Sequence, residues 1–275
     1  MEDLDFLLKY SEDLKVEIDK LPFHRDDIRT IYFTFYYDLV YNLYISKSLY
    51  ELSLYISKGG IMFPESILEF EKHIQRLIEI SKFEVLTRSF NNNINRSFFF
   101  DAFSSFEVCL NVFCGSIFKA DEIDHLLKHS LNEVDHILKN IEVNESIQGK
   151  LNKLLLKTHL THVPFIRKIE TLFKYCKSEY HGNINDDREF LIFLSKLRNT
   201  IHTQWVYFGN SYEYFYDQDT HFVFQNGKQV VWTNPYDDGG ARLFVKMFDR
   251  LKGIWKNFIF GISFDNFIPF YDENV

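Results

Sequence analysis

In the segment Lys196-Leu197-Arg198-Asn199-Thr200-Ile201-His202 an arginine and a histidine stand four positions apart. In a helix that spacing puts both side chains on one face. The arginine guanidinium is a permanent cation whose fork fits phosphate, and imidazole can exchange a proton near neutral pH. Together they can hold a phosphodiester and move its proton without a metal. The same pair also has a purely structural use, since cations near a helix C-terminus are favoured by the helix dipole.

The elements that must position this pair can be read from periodicity. Leu4, Leu7, Leu8, Leu14 and Ile18 predict an amphipathic helix over 2–20, ended by Pro22. A long helix is expected from about 26 to 58, stopped by Gly59-Gly60, with aromatics on more than one face (Tyr32, Phe33, Tyr36, Tyr37, Tyr44). Pro64 suits the start of a helix running to about Phe90, with Asn91-Asn92-Asn93 as a break. Further helices are expected over 97–118, 121–140 and 145–178, the last bent at Pro164. Asp186-Asp187 suit a helix N-terminus, and Phe190, Leu191, Phe193, Leu194, Leu197 and Ile201 form that helix's apolar face. Arg198 and His202 fall at its far end.

The pattern then changes to short aromatic and β-branched runs at 212–216, 221–225 and 229–232. Asn226-Gly227 is a hairpin signal because both residues accept positive φ. A last helix follows Gly239-Gly240, over about 241–260. With 5 Pro and 11 Gly in 275 residues, breakers are too scarce for a many-turned β fold.

A net charge of -8 opposes indiscriminate nucleic-acid binding but leaves room for a local cationic site. The odd set Cys109, Cys114 and Cys176 fits a reducing compartment, and Cys109 and Cys114, in an apolar helix-like run, read as core thiols. The acidic start Met1-Glu2-Asp3-Leu4-Asp5 is unlike a signal peptide. The apolar run from Ile31 to Ile45, interrupted by Asp38 and Asn42, is shorter than the roughly 20 residues a membrane span needs. A cytoplasmic protein with no membrane partner is expected.

The Leu-Arg-Asn-Thr-Ile-His arrangement at 197–202, followed by a hairpin and a closing helix, resembles the HEPN superfamily (higher eukaryotes and prokaryotes nucleotide-binding). The segment Asp101-Ala102-Phe103-Ser104-Ser105-Phe106-Glu107 resembles that family's earlier core helix, in which an acidic residue faces the motif. The family usually separates its Arg and His more widely than the three residues found here. The resemblance implies a mainly α fold: a HEPN-like bundle over 91–275 with a small antiparallel β insertion at about 210–233, and an accessory helical region over 1–90. It also implies metal-independent RNA cleavage by a homodimer that brings two motifs to one cleft. Arg198 would bind the scissile phosphate, His202 would act as general acid or base on the ribose 2′-OH, and Asn199 would position motif or substrate; Glu107 is a weaker member of the set. No cofactor or metal is expected. A toxin or anti-phage defence setting, with an antitoxin or regulatory protein as partner, follows from the resemblance alone. A non-catalytic HEPN-like binding or scaffold module is the alternative.

Other constellations carry less. His125, His129, Glu133 and His136 share one helical face, and histidines at i and i+4 can bind a metal. Di-iron bundles, however, draw their Glu-x-x-His motifs from different helices. A polar solvated or interface face is the simpler reading, as a surface pair is for His159 and His162. The chain has no Gly-rich phosphate loop, Gly-x-Ser-x-Gly or Cys-x-x-Cys. The aromatics of 31–55 suit a core or dimer interface.

Overall fold

The computed structural model describes residues 2–57, 84–123, 126, 163–233 and 240–270. It is mainly helical, with a small antiparallel meander before the last helix. The helices among the described residues are α1 (Glu2–Ile18), α2 (Ile28–Ser57), α3 (Glu84–Ile117), α4 (Phe165–Tyr175), α5 (Ile184–Ile201) and α6 (Ala241–Gly261).

Helix α1 buries Leu7, Ser11 and Leu14, one face at helical spacing, and carries Glu2, Asp3 and Asp5 in its first turn, where the dipole favours them. Its Glu17 receives Lys252 and Lys256 of α6 at 2.6 and 2.8 Å.

A buried clamp opens α2. The Asp27 carboxylate accepts from Arg29 Nε at 2.9 Å and from Nη2 at 2.7 Å, and from the backbone N–H of Arg29 and Ile268. The remaining Arg29 donors reach the carbonyls of Phe264 and Asn266. The C-terminal segment is thereby tied to the start of α2.

Helix α3 departs from expectation. Asn91-Asn92-Asn93 do not break it; the helix runs through them. Asparagine is only a mediocre helix former, and tertiary packing overrides such preferences. Here α2 packs along α3, Asn95 is buried, and Lys47 of α2 donates to Asn91 at 2.5 Å. The stretch Ser89–Ile117 is long and apolar enough to cross a membrane by composition, and half of its apolar window is buried within the fold. Its buried residues Phe99, Phe103, Phe106, Leu110 and Phe113 belong to one hydrophobic cluster that also takes in residues of α1, α2, α4, α5, the meander and α6.

Pro164 does not bend a longer helix either. It is the N-cap of α4, at φ -57° and ψ 143°. An extended ψ there starts a helix rather than continuing one. The helices expected over 64–83 and beyond residue 126 up to 162 lie outside the described residues, as do His125, His129, Glu133, His136, His159 and His162.

Trp255 of α6 sits at the centre of the core, fully buried, with the rings of Tyr32, Phe106 and Phe113 at 5.5, 6.0 and 5.3 Å between centroids. Its indole N–H donates to the carbonyl of Arg29.

The strands are β1 (Val206–Tyr207), β2 (Tyr212–Phe215), β3 (His221–Phe224), β4 (Lys228–Gln229) and β5 (Val231–Trp232). One sheet has the order β2-β3-β5, and β1 pairs with β4. Of the Asn226-Gly227 pair only Gly227 takes positive φ (72°), and the strand directly after the turn, β4, pairs with β1 while β3 pairs with β5. Alternation buries Phe222 and Phe224, and Phe193 of α5 stacks on Tyr214 at 4.1 Å, so the sheet lies against one side of α5.

Candidate functional site

Helix α5 is held at both ends, which fixes what it presents. At its start the Asn183 side chain accepts from the backbone N–H of Asn185 and Asp186, an N-cap one turn earlier than the acidic pair alone indicated. Asp187 accepts from Arg250 of α6 at 2.9 Å and from Tyr180 at 2.7 Å.

At its end the chain reverses through a Schellman arrangement. The Trp205 N–H reaches the Thr200 carbonyl at 2.7 Å, and the Gln204 N–H reaches Ile201 at 3.3 Å. Gln204 and Trp205 take φ of 57° and 67°. Such left-handed backbone costs a non-glycine residue about 1–2 kcal/mol, so something must hold it. Trp205 packs its ring against Phe99, Trp232 and Phe244. Val230 donates to the Trp205 carbonyl and the Gln229 side chain to that of Gln204. Arg96 of α3 donates to the Ile201 carbonyl and to the Gln204 side chain, each at 2.6 Å. The β insertion and α3 therefore jointly grip the turn that carries His202. Arg96→Met removes two charge-assisted bonds and is expected to lower stability by about 1.5–3 kcal/mol, read from the urea midpoint.

Arg198, Asn199 and His202 all lie on this last stretch. Arg198 Nη2 is 3.3 Å from Glu107 Oε2 of α3, and both side chains are 27% exposed. The other guanidinium arm donates to Asn199 Oδ1 at 3.3 Å, while Arg198 Nε is buried with no hydrogen-bond partner among the described residues. Phe100 of α3 contacts both Arg198 and His202. The guanidinium carbon is 5.7 Å from its ring centroid, and the His202 ring meets it edge-on at 5.4 Å. Asn199 and His202 are exposed.

Burial raises the Glu107 carboxyl above the ordinary range, against the pull of Arg198 and Lys168. Lys168 of α4 donates to Asn111 of α3 at 2.5 Å. On α3 the residues Phe100, Glu107 and Asn111 thus form one stripe, faced by His202, Arg198 and Lys168 in turn.

Of the four residues expected from the sequence, Glu107 and Asn199 meet Arg198 directly, and His202 shares only the Phe100 ring with it. Asp101, which opens the acidic segment, goes elsewhere: with Asn42, Ser46, Asn93 and Ser97 it lines a groove of about 410 Å³ between α2 and α3. Sequence reasoning missed Phe100, Arg96, Asn111 and Lys168. Phe100 follows Phe98-Phe99 in an apolar run and reads as core; only its seven-residue offset from Glu107 marks it as facing the motif. Among the described residues no group of three metal-ligating side chains comes together.

The arrangement combines a half-covered guanidinium, an accessible imidazole and an aromatic ring. Chemically it can grip an anion and exchange a proton. Comparison with protein-family models, with curated proteins and with solved structures gave no match.

Proposed function

We propose that this chain is a HEPN-like ribonuclease that cleaves RNA without a metal, with Arg198 and His202 as its catalytic residues. The observation that carries the reading is the convergence of Arg198 and His202 on one ring, Phe100, at an open surface.

The chemistry follows from the residue types. The Arg198 fork takes two non-bridging phosphate oxygens and offsets the charge that builds on them in the transition state. Asn199, bonded to that fork, keeps it oriented. His202 as base removes the 2′-OH proton, the 2′ oxygen bonds to phosphorus, and the bond from phosphorus to the 5′ oxygen breaks. The leaving oxygen takes a proton from a protonated His202 of a second copy. The products are a 2′,3′-cyclic phosphate and a 5′-OH. One imidazole cannot be base and acid in the same step, which is the reason to expect a homodimer with two motifs at one cleft. A cytoplasmic toxin or anti-phage defence role, restrained by an antitoxin or regulatory protein, belongs to the same reading.

A second reading has its own observation. Glu107 already occupies one edge of the guanidinium. If that ion pair persists in the presence of RNA, the chain is a HEPN-like binding or scaffold module without cleavage.

The test is incubation of the protein with single-stranded RNA in EDTA, followed by analysis of the new 3′ ends. Cyclic phosphate ends support the nuclease. Binding with intact RNA supports the module.

A further inference from the structure

The stripe on α3 does not end at Glu107. One helical turn further on, Asn111 holds the Lys168 ammonium at 2.5 Å. Residues at i and i+4 have Cβ atoms about 5–6 Å apart. Arg198 and Lys168 are therefore anchored a single turn apart on the same face, one to Glu107 and the other to Asn111.

The charges do not cancel. Among the described residues no carboxylate comes within ion-pair distance of Lys168, and its hydrogen-bond partner is a neutral amide. Glu107 is the carboxylate both cations influence. Two cations share one anion, which leaves a net positive spot on a chain of net charge -8. Lys168 is half-buried, and burial weakens its hold on its proton. An ammonium in that state gains from an arriving anion, which restores the interaction lost with water.

We propose that Lys168 forms a second phosphate-binding position next to Arg198, so that the site takes a polynucleotide strand running along α3 rather than a single nucleotide. The inference rests on the reading of Arg198 as a phosphate ligand. Phe100, at the other side of Arg198, lies under the guanidinium and next to the His202 ring. Adjacent phosphates of one strand would then meet Arg198 and Lys168 in order. A mononucleotide satisfies Arg198 only.

The probe is a short single-stranded 2′-O-methyl oligonucleotide, whose blocked 2′ oxygen prevents cleavage, so binding is read apart from catalysis. Its affinity is measured across a salt series for wild type, Lys168→Gln, Lys168→Arg and Arg198→Gln. Each lost phosphate contact lowers the slope of log K against log salt by about 0.7 for a single strand. Lys168→Gln is expected to lose that amount, and Lys168→Arg to retain it. Gln preserves a hydrogen bond to Asn111, and an unchanged circular dichroism spectrum verifies the fold. If Arg198→Gln reduces the slope and Lys168→Gln does not, the second position is overturned while the Arg198 reading stands. If neither substitution changes the slope, Arg198 is no phosphate ligand, and both ideas fall.

Discussion

His202→Ala is expected to lower the rate of RNA cleavage in EDTA by about 10²–10⁴-fold, the usual contribution of a positioned general acid or base. Arg198→Ala is expected to lower kcat by about 10²–10³-fold, as removal of one transition-state donor does, and to raise KM as well. The two should differ in this respect, because Arg198 contacts the ground-state phosphate whereas His202 acts on the proton in flight. Neither loss should come from unfolding. His202 is exposed, and substitutions at such positions change stability by roughly 0.5 kcal/mol or less. Arg198→Ala leaves Glu107 without its cation, but that carboxylate is partly exposed and reaches water.

Asp27→Ala is expected to destabilise the fold by about 3–5 kcal/mol, the cost of stranding one partner of a buried ion pair. Arg29 would keep its charge with only 7% of its side chain exposed, and the Ile268 N–H would lose its acceptor. The urea midpoint measures this. The same carboxylate gives the protein an acid-sensitive joint. Burial acts to raise the Asp27 carboxyl, but hydrogen bonds from Arg29 and from the backbone of Arg29 and Ile268, with the Arg29 charge, outweigh it and hold the group below the ordinary range. A depressed carboxyl binds its proton less readily when folded. Its stabilisation is therefore complete above its unfolded value, about 3.9, and lost as the pH falls through the folded one. A melting series from pH 5 down to pH 2 should show a smaller drop in Asp27→Asn than in wild type, the remainder coming from other paired carboxylates such as Glu17.

The fold was legible where periodicity and punctuation agree. The apolar spacing of 190–201 gave α5, Pro22 closed the first helical segment, and Asn226-Gly227 gave the turn between β3 and the strands after it. It was misread where tertiary contacts override local preference. Three consecutive asparagines look like a break, yet α3 continues through them because α2 packs alongside and Lys47 bonds Asn91. Pro164 looks like a kink within a helix, but its extended ψ makes it a start. The same division holds at the site. Arg198 lies in the last turn of α5 and His202 is its C-cap, so their spacing alone placed them at one end of one element. Phe100, Arg96 and Lys168 arrive from α3 and α4, and no local pattern encodes which faces of separate helices will meet. Nor does local pattern show Trp205 in left-handed backbone, since that conformation depends on Phe99, Trp232 and Phe244 closing around its ring.

The most direct measurement compares wild type and His202→Ala, purified identically, for cleavage of one single-stranded RNA in EDTA. The account predicts cyclic-phosphate products from wild type and intact RNA with the variant. Equal cleavage by the two proteins, or none by either, would contradict it.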